Sequence, residues 1–161
     1  MKTIFASILT LAIAFTVSAQ EINPKLSALL TNYFAIKNEL IKGKAEPVSL
    51  KAKAFTASVN AIDAAQLTGK EKETFTSLKE KLLLDATHIE KSNDIAHQRD
   101  HFKDLSNNFF ALAKTIKLSP APIYQQYCPM EKAYWLSNEK SIKNPYYGNQ
   151  MLTCGSVTAT L

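Results

Sequence analysis

Glycine is scarce in this 161-residue chain, which contains only Gly43, Gly69, Gly148 and Gly155. None of them builds a phosphate-binding loop or a dinucleotide-binding fingerprint, because both of these motifs need closely spaced glycines. The sequence also lacks a G-x-S-x-G nucleophile elbow and a C-x-x-C pair. These absences remove the usual motifs of nucleotide-dependent enzymes, hydrolases and thiol oxidoreductases, and they favour a protein that is not an enzyme.

Charge of one sign does not dominate the sequence. The chain has 19 Lys and Arg residues against 14 Asp and Glu residues, for a formal net charge of +5. Basic and acidic residues alternate, as in residues 70–73, which is typical of a solvated helix surface rather than a nucleic-acid-binding stripe. We therefore expect no nucleic-acid partner.

A long apolar run occurs only at the N-terminus. Lys2 precedes an uncharged apolar stretch, residues 4–17, that ends in small residues suited to signal peptidase. We predict a signal peptide over residues 1–19, with cleavage between Ala19 and Gln20. The run is shorter than the roughly 20 residues that span a bilayer, so an uncleaved anchor is the less favoured alternative. The mature chain is expected to be periplasmic or secreted, without a transmembrane segment.

Helical periodicity extends over about residues 23–117. Apolar residues recur every three or four positions, and helix N-cap residues stand at Asn23, Thr68 and Asp94. We predict four helices: from Asn23 to Gly43, from Ser49 to Leu67, from Thr68 to about residue 91, and from Asp94 to about Lys117. Short connections favour antiparallel neighbours. The predicted fold is therefore an all-α, up-and-down four-helix bundle within a single helical domain, residues 20–161.

The composition changes in residues 123–161. This segment holds both cysteines, the only tryptophan and most of the tyrosines, and prolines and glycines interrupt it. We predict an irregular, aromatic-rich segment packed on the bundle. Its regular structure is expected to be limited to a short helix near residues 131–137 and a short extended piece near residues 156–160.

The same segment concentrates soft metal donors. Two thiols and two thioethers lie within 27 positions of one another, and such donors select Cu(I) or Ag(I) over hard cations. His88, His97 and His101 lie in and near the turn between the third and fourth predicted helices and could add imidazole. The sequence from His97 to His101 is not the H-E-x-x-H motif of zinc proteases, because Gln98 replaces the glutamate. The predicted metal ligands are Cys128, Met130, Met151 and Cys154, with His97 and His101 as further candidates.

A disulfide is the alternative reading of the two cysteines. Exported proteins commonly pair their cysteines. A Cys128–Cys154 bond would close a loop of about 27 residues, which corresponds to roughly 3–4 kcal/mol in the chain-entropy model. The methionines would then be packing residues, and the aromatic side chains would dock a partner protein.

Several short motifs resemble a bacterial family of unknown function, domain-of-unknown-function family 3347. The similar pieces are His88-Ile89, Asp94-Ile95, Gln98-Arg99-Asp100-His101-Phe102, Leu105-Ser106, Cys128-Pro129-Met130, Trp135-Leu136-Ser137, Asn144-Pro145-Tyr146-Tyr147-Gly148 and Met151-Leu152-Thr153-Cys154-Gly155. The resemblance spans about residues 88–157. It implies a domain that follows a signal peptide or is fused to periplasmic adaptor subunits of copper and silver efflux pumps.

Two functional hypotheses follow from the residues and the resemblance together. The first is an exported Cu(I)- or Ag(I)-binding accessory protein linked to metal efflux or homeostasis, whose partner is an efflux adaptor or another periplasmic protein. The second is a disulfide-stapled periplasmic interaction module with no metal role.

The signal-peptide hypothesis is tested by intact-mass analysis of the exported protein. We expect a mass that lacks residues 1–19, because the small residues before Gln20 fit signal peptidase. A mass that retains these residues would contradict the predicted cleavage.

Overall fold

The computed structural model describes residues 22–161. The predicted signal peptide and its cleavage point therefore lie outside the described residues. The helices are α1 (Pro24–Lys42), α2 (Ala45–Ala61), α3 (Gly69–Lys91) and α4 (Ile95–Ala113), and the strands are β1 (Tyr124–Cys128), β2 (Ala133–Ser137) and β3 (Ser156–Thr160). Within the described part of the chain, no helix has the length and apolar character needed to cross a membrane.

Local capping sets the start of two helices. The Oδ1 atom of Asn23 accepts a hydrogen bond from the amide of Lys25, and Oδ1 of Asp94 accepts one from the amide of Ala96, both at 2.9 Å. These bonds satisfy amides that have no partner within the helix, so both predicted starts are confirmed. Thr68 also occupies an N-cap position, but its side chain makes no capping bond.

Helix α2 lies earlier in the sequence than predicted. It begins at Ala45 rather than Ser49, because Pro47 falls in the first turn, where its missing N–H costs no intrahelical hydrogen bond. The helix ends at Ala61, and Asp63 caps a short 3₁₀ turn that follows. Pro47 therefore lies in the first turn of α2 and not in the segment that connects α1 to α2.

The C-terminal segment forms a three-stranded antiparallel sheet in the order β2-β1-β3. The chain is thus mostly helical, and the all-α prediction with an irregular C-terminal segment needs correction. The helix predicted near residues 131–137 is wrong, because β2 occupies this position. Trp135, Leu136 and Ser137 are all buried, so β2 lacks the alternation that reveals a half-buried strand in a sequence.

Consecutive helices pack against each other in chain order, as expected for an up-and-down arrangement. Strand β2 packs on α4, and its polar contacts reach α1 as well. The sheet therefore lies against both α1 and α4.

Tyr33 joins the three elements at this place. Its side chain is completely buried, and its ring stacks on those of Phe109 and Phe102, with centroids 4.6 and 5.3 Å away. Its hydroxyl lies 2.7 Å from the hydroxyl of Ser106 and accepts a hydrogen bond of 3.0 Å from the backbone amide of Leu136. One side chain of α1 thereby satisfies polar groups of both α4 and β2.

Replacing Tyr33 by Phe tests this junction. We expect a loss of about 1–3 kcal/mol in the free energy of unfolding, because the Leu136 amide and the Ser106 hydroxyl stay buried without this partner. Tyr134→Phe is the matched control, since Tyr134 is 37% exposed. Chemical denaturation that gave similar losses for both variants would contradict the role of the Tyr33 hydroxyl.

Lys37 is a charged residue in the same region, only 1% exposed. Its ammonium group donates to the hydroxyl of Ser137 at 3.4 Å. Burial lowers the pKa of Lys37 from 10.5 to about 8; the negative charge of Glu139 opposes this shift and the positive charge of Lys143 adds to it. Since the folded state disfavours the cation, the charge of Lys37 reduces stability at neutral pH.

Lys37→Met should raise the free energy of unfolding at pH 7 by about 1–3 kcal/mol, because an apolar chain of similar length replaces a buried charge. The advantage should shrink as the pH rises from about 8 towards 10.5. In that pH window Lys37 is deprotonated in the folded wild type but still protonated in the unfolded chain, so the stability of the wild type rises with pH. The control is Lys53→Met, at an exposed position on α2. Denaturation curves with the same pH profile for wild type and Lys37→Met would contradict this account.

Candidate metal centres

Three imidazoles meet where α3 ends and α4 begins. The ring centroids of His88 and His101 lie 4.2 Å apart, those of His97 and His101 4.7 Å, and those of His88 and His97 6.1 Å. One ligand nitrogen from each residue lies within 4.8 Å of the other two. These three residues, called the histidine cluster below, could hold a metal ion.

The α3–α4 hairpin explains why the three residues meet. His97 and His101 are one turn apart and share a face of α4. Only residues 92–94 connect the two helices, so the last turns of α3 lie beside the first turns of α4. The sequence marks His88 as a possible imidazole donor near this turn, but the predicted ligand set contains only His97 and His101. His88 lies about as far before the connection as His97 lies after it, and this symmetry is the signal that places it in the cluster.

A buried carboxylate supports the histidine cluster. Asp85 is only 6% exposed, and its Oδ1 lies 3.3 Å from Nδ1 of His101, while Asn108 donates to its Oδ2 at 3.4 Å. Burial raises the pKa of Asp85, and the hydrogen bond with His101 acts in the opposite direction. With Nδ1–H of His101 donating to the carboxylate, Nε2 is free to bind an ion, as in many metal sites.

Binding would need small ring movements. Metal–nitrogen bonds of about 2.0–2.1 Å place the nitrogens of a tetrahedral site about 3.4 Å apart. The rings of His88 and His101 are nearly parallel, at 14°, so one of them must turn before both nitrogens face one ion. His88 and His97 are exposed, which leaves room for this rotation. Imidazole sites of this kind suit copper, zinc and nickel.

The two cysteines meet in the sheet. Cys128 ends β1 and Cys154 precedes β3, and the pairing of these strands brings their Sγ atoms to 3.7 Å. Both thiols are free; Cys128 is buried and Cys154 is half-buried. The backbone amide of Glu131 donates to Sγ of Cys128 at 3.4 Å. These two residues are called the thiol pair below.

Partial burial raises the pKa of the Cys154 thiol, and its hydrogen bond with Cys128 raises it further. The backbone of Met130 also hydrogen-bonds Cys154 and acts in the opposite direction. The side chain of Met130 is 62% exposed at the turn between β1 and β2. Met151 is half-buried, and its carbonyl accepts from the amide of Cys154 at 3.1 Å. Both methionines thus stand in the loops that hold the thiols.

Asn144 and Gly155 fix the position of the loop that contains Cys154. The side chain of Asn144 is buried, and it donates to the Cys154 carbonyl at 2.8 Å and accepts from the amide of Tyr146 at 2.8 Å. Gly155 has φ +148°, and a Cβ at this position would lie 2.8 Å from the Tyr127 carbonyl oxygen. Glycine is therefore needed for the close approach of this loop to β1.

The predicted ligand set falls into two separate places. On a helix with 100° per residue, Arg99 and Lys103 project from α4 about 200° and 240° away from His97. Arg99 donates to the carbonyl of Pro145 at 3.0 Å, and Lys103 forms an ion pair with Glu131. One side of α4 therefore bears imidazoles towards α3, and the opposite side contacts the C-terminal segment. The histidine cluster and the thiol pair are distinct groups.

Comparisons with known proteins give one match. Neither the curated proteins nor the solved structures include a match to this chain. A family model described as "Protein of unknown function (DUF3347)" matches residues 29–120. The matched range contains all three histidines and excludes both cysteines, whereas the motif resemblance lies in residues 88–157. Because the match covers more than half of the 161 residues, the chain belongs to the family of proteins of unknown function DUF3347.

Proposed function

We propose that this chain is an exported metal-binding accessory protein and that its histidine cluster binds copper. The observation behind the proposal is the convergence of three imidazole nitrogens within 4.8 Å, beside a buried carboxylate that is hydrogen-bonded to one of them. Three ligands and an orienting carboxylate are the usual components of a histidine metal site.

Copper is the proposed ion because of the donor type. Imidazole binds several first-row ions, and affinity for divalent ions generally peaks at Cu(II). Exported chains that resemble subunits of copper and silver efflux systems would encounter this metal. The role we propose is therefore to buffer copper outside the cytoplasm or to transfer it to an efflux adaptor.

The exposure of the site suits transfer rather than permanent storage. Structural metal sites are usually closed by four protein ligands, whereas three ligands leave a position open. His88 and His97 are exposed, and Lys91 and Asp94 line the same surface pocket. An ion held here would stay accessible to a ligand from a partner protein, which is what transfer requires.

The test is a Cu(II) titration of tag-free mature protein, with the thiols blocked by alkylation so that only the imidazoles are measured. The chain has three histidines in total, so no other imidazole competes. We expect one equivalent bound by wild type and weaker binding by His88→Ala, His97→Ala and His101→Ala. The absence of binding by wild type would overturn the proposed function.

Asp85→Asn provides a sharper prediction. The amide keeps the size of the side chain but removes the carboxylate that orients His101, so copper affinity should fall by about 10–100-fold. The stability of the metal-free protein should hold or rise, since a buried charge is removed. Asp100→Asn is the control, because Asp100 lies beside His101 in the sequence but its side chain is 70% exposed. Equal effects of both variants on copper affinity would contradict the role of Asp85.

A further inference from the structure

The thiol pair is a second group of metal donors, separate from the histidine cluster. We propose that Cys128 and Cys154 form an independent site for one monovalent soft cation, Cu(I) or Ag(I). The chain would then offer imidazoles and thiolates at separate places, for copper ions of different softness.

The sulfur separation fits two ligands of one ion. If the metal–sulfur bonds have the length of zinc–thiolate bonds, about 2.3 Å, the observed distance of 3.7 Å between the Sγ atoms corresponds to an angle of about 107° at the metal. A disulfide would need a separation of about 2.05 Å. The angle is near the tetrahedral value, so the remaining side of the ion is open to one or two further donors.

A backbone donor already faces one of the two sulfurs. The amide of Glu131 donates to Sγ of Cys128 at 3.4 Å and would donate equally to a metal-bound thiolate there. Hydrogen bonds to a charged acceptor stabilise that charge. Met130 is exposed in the same turn, so its thioether can turn towards the ion without disturbing the core.

The binding step conserves charge and protons. Two neutral thiols bind one monovalent cation, each sulfur forms a bond to the metal, and two protons pass to solvent. The oxidation state of the metal does not change, so no oxidant or reductant takes part. The product is a dithiolate complex with one net negative charge.

The experiment is an anaerobic Ag(I) titration of reduced, tag-free mature protein in chloride-free buffer, followed by the ultraviolet absorbance of silver–thiolate bonds. We expect this absorbance to saturate at one equivalent in wild type and in the His97→Ala/His101→Ala variant. The double variant Cys128→Ser/Cys154→Ser should abolish the signal and Cys154→Ser should weaken Ag(I) binding, whereas Thr153→Ala, an exposed neighbour, should keep wild-type binding. Because the histidine variant separates the two sites, failure here would leave the copper proposal for the histidine cluster unaffected.

A second measurement does not depend on any variant. One equivalent of Ag(I) should protect both cysteines of wild type from alkylation, as counted by mass spectrometry, and equimolar Zn(II) should not displace it. The proposal is overturned if Cys154→Ser binds Ag(I) as tightly as wild type or if Zn(II) displaces Ag(I). It is also overturned if the thiols form a disulfide in the presence of Ag(I), a result that would favour the stapled interaction module.

Discussion

The hydroxyl group of Tyr33 holds the C-terminal sheet on the helices. Strand β2 brings the amide of Leu136 into a buried place, where an unpaired N–H would cost about 1–3 kcal/mol. The phenol supplies the acceptor and also meets the hydroxyl of Ser106 on α4. The sheet therefore has a defined position, and so does the thiol pair at the junction of β1 and β3. This constraint links α1 to a site about 100 residues later in the chain.

The buried side chain of Gln98, on α4, fixes the contact of this helix with α2 and α3. Its side-chain amide nitrogen lies within hydrogen-bond distance of the carbonyls of Ala45, Ile89 and Ser92, where α2 begins and α3 ends. The carbonyls of Ile89 and Ser92 lie at the C-terminal end of α3, where carbonyls lack an intrahelical partner. The bonds from Gln98 satisfy them and fix the end of α3 against the start of α4, where the histidine cluster lies. The proposed metal site and the helix junction thus depend on the same hairpin.

The two proposed sites differ in the rigidity of their supports. The histidine cluster stands on two helices, but its rings are exposed and must rotate before they bind one ion. Cys128 ends β1 and Cys154 lies in the loop before β3, and their Sγ atoms already have a spacing that suits two ligands of one ion. Helix side chains would therefore form an adaptable imidazole site, whereas the pairing of β1 with β3 would form a thiolate site whose spacing is already set.

The sequence alone determined the helices and the types of donor atoms. Asn23 and Asp94 cap their own helices through local bonds, so no distant contact is needed to recognise these starts. Tertiary structure decided the rest, because the decisive contacts join residues far apart in the chain. Strand β2 depends on Tyr33 and on burial without alternation, so its five residues gave no readable period. His88 and Asp85 join His97 and His101 only when α3 folds back on α4. Tertiary structure also decided the separation of the thiols from the imidazoles. One face of α4 bears His97 and His101 next to α3, and the opposite face contacts the C-terminal segment that holds the thiols.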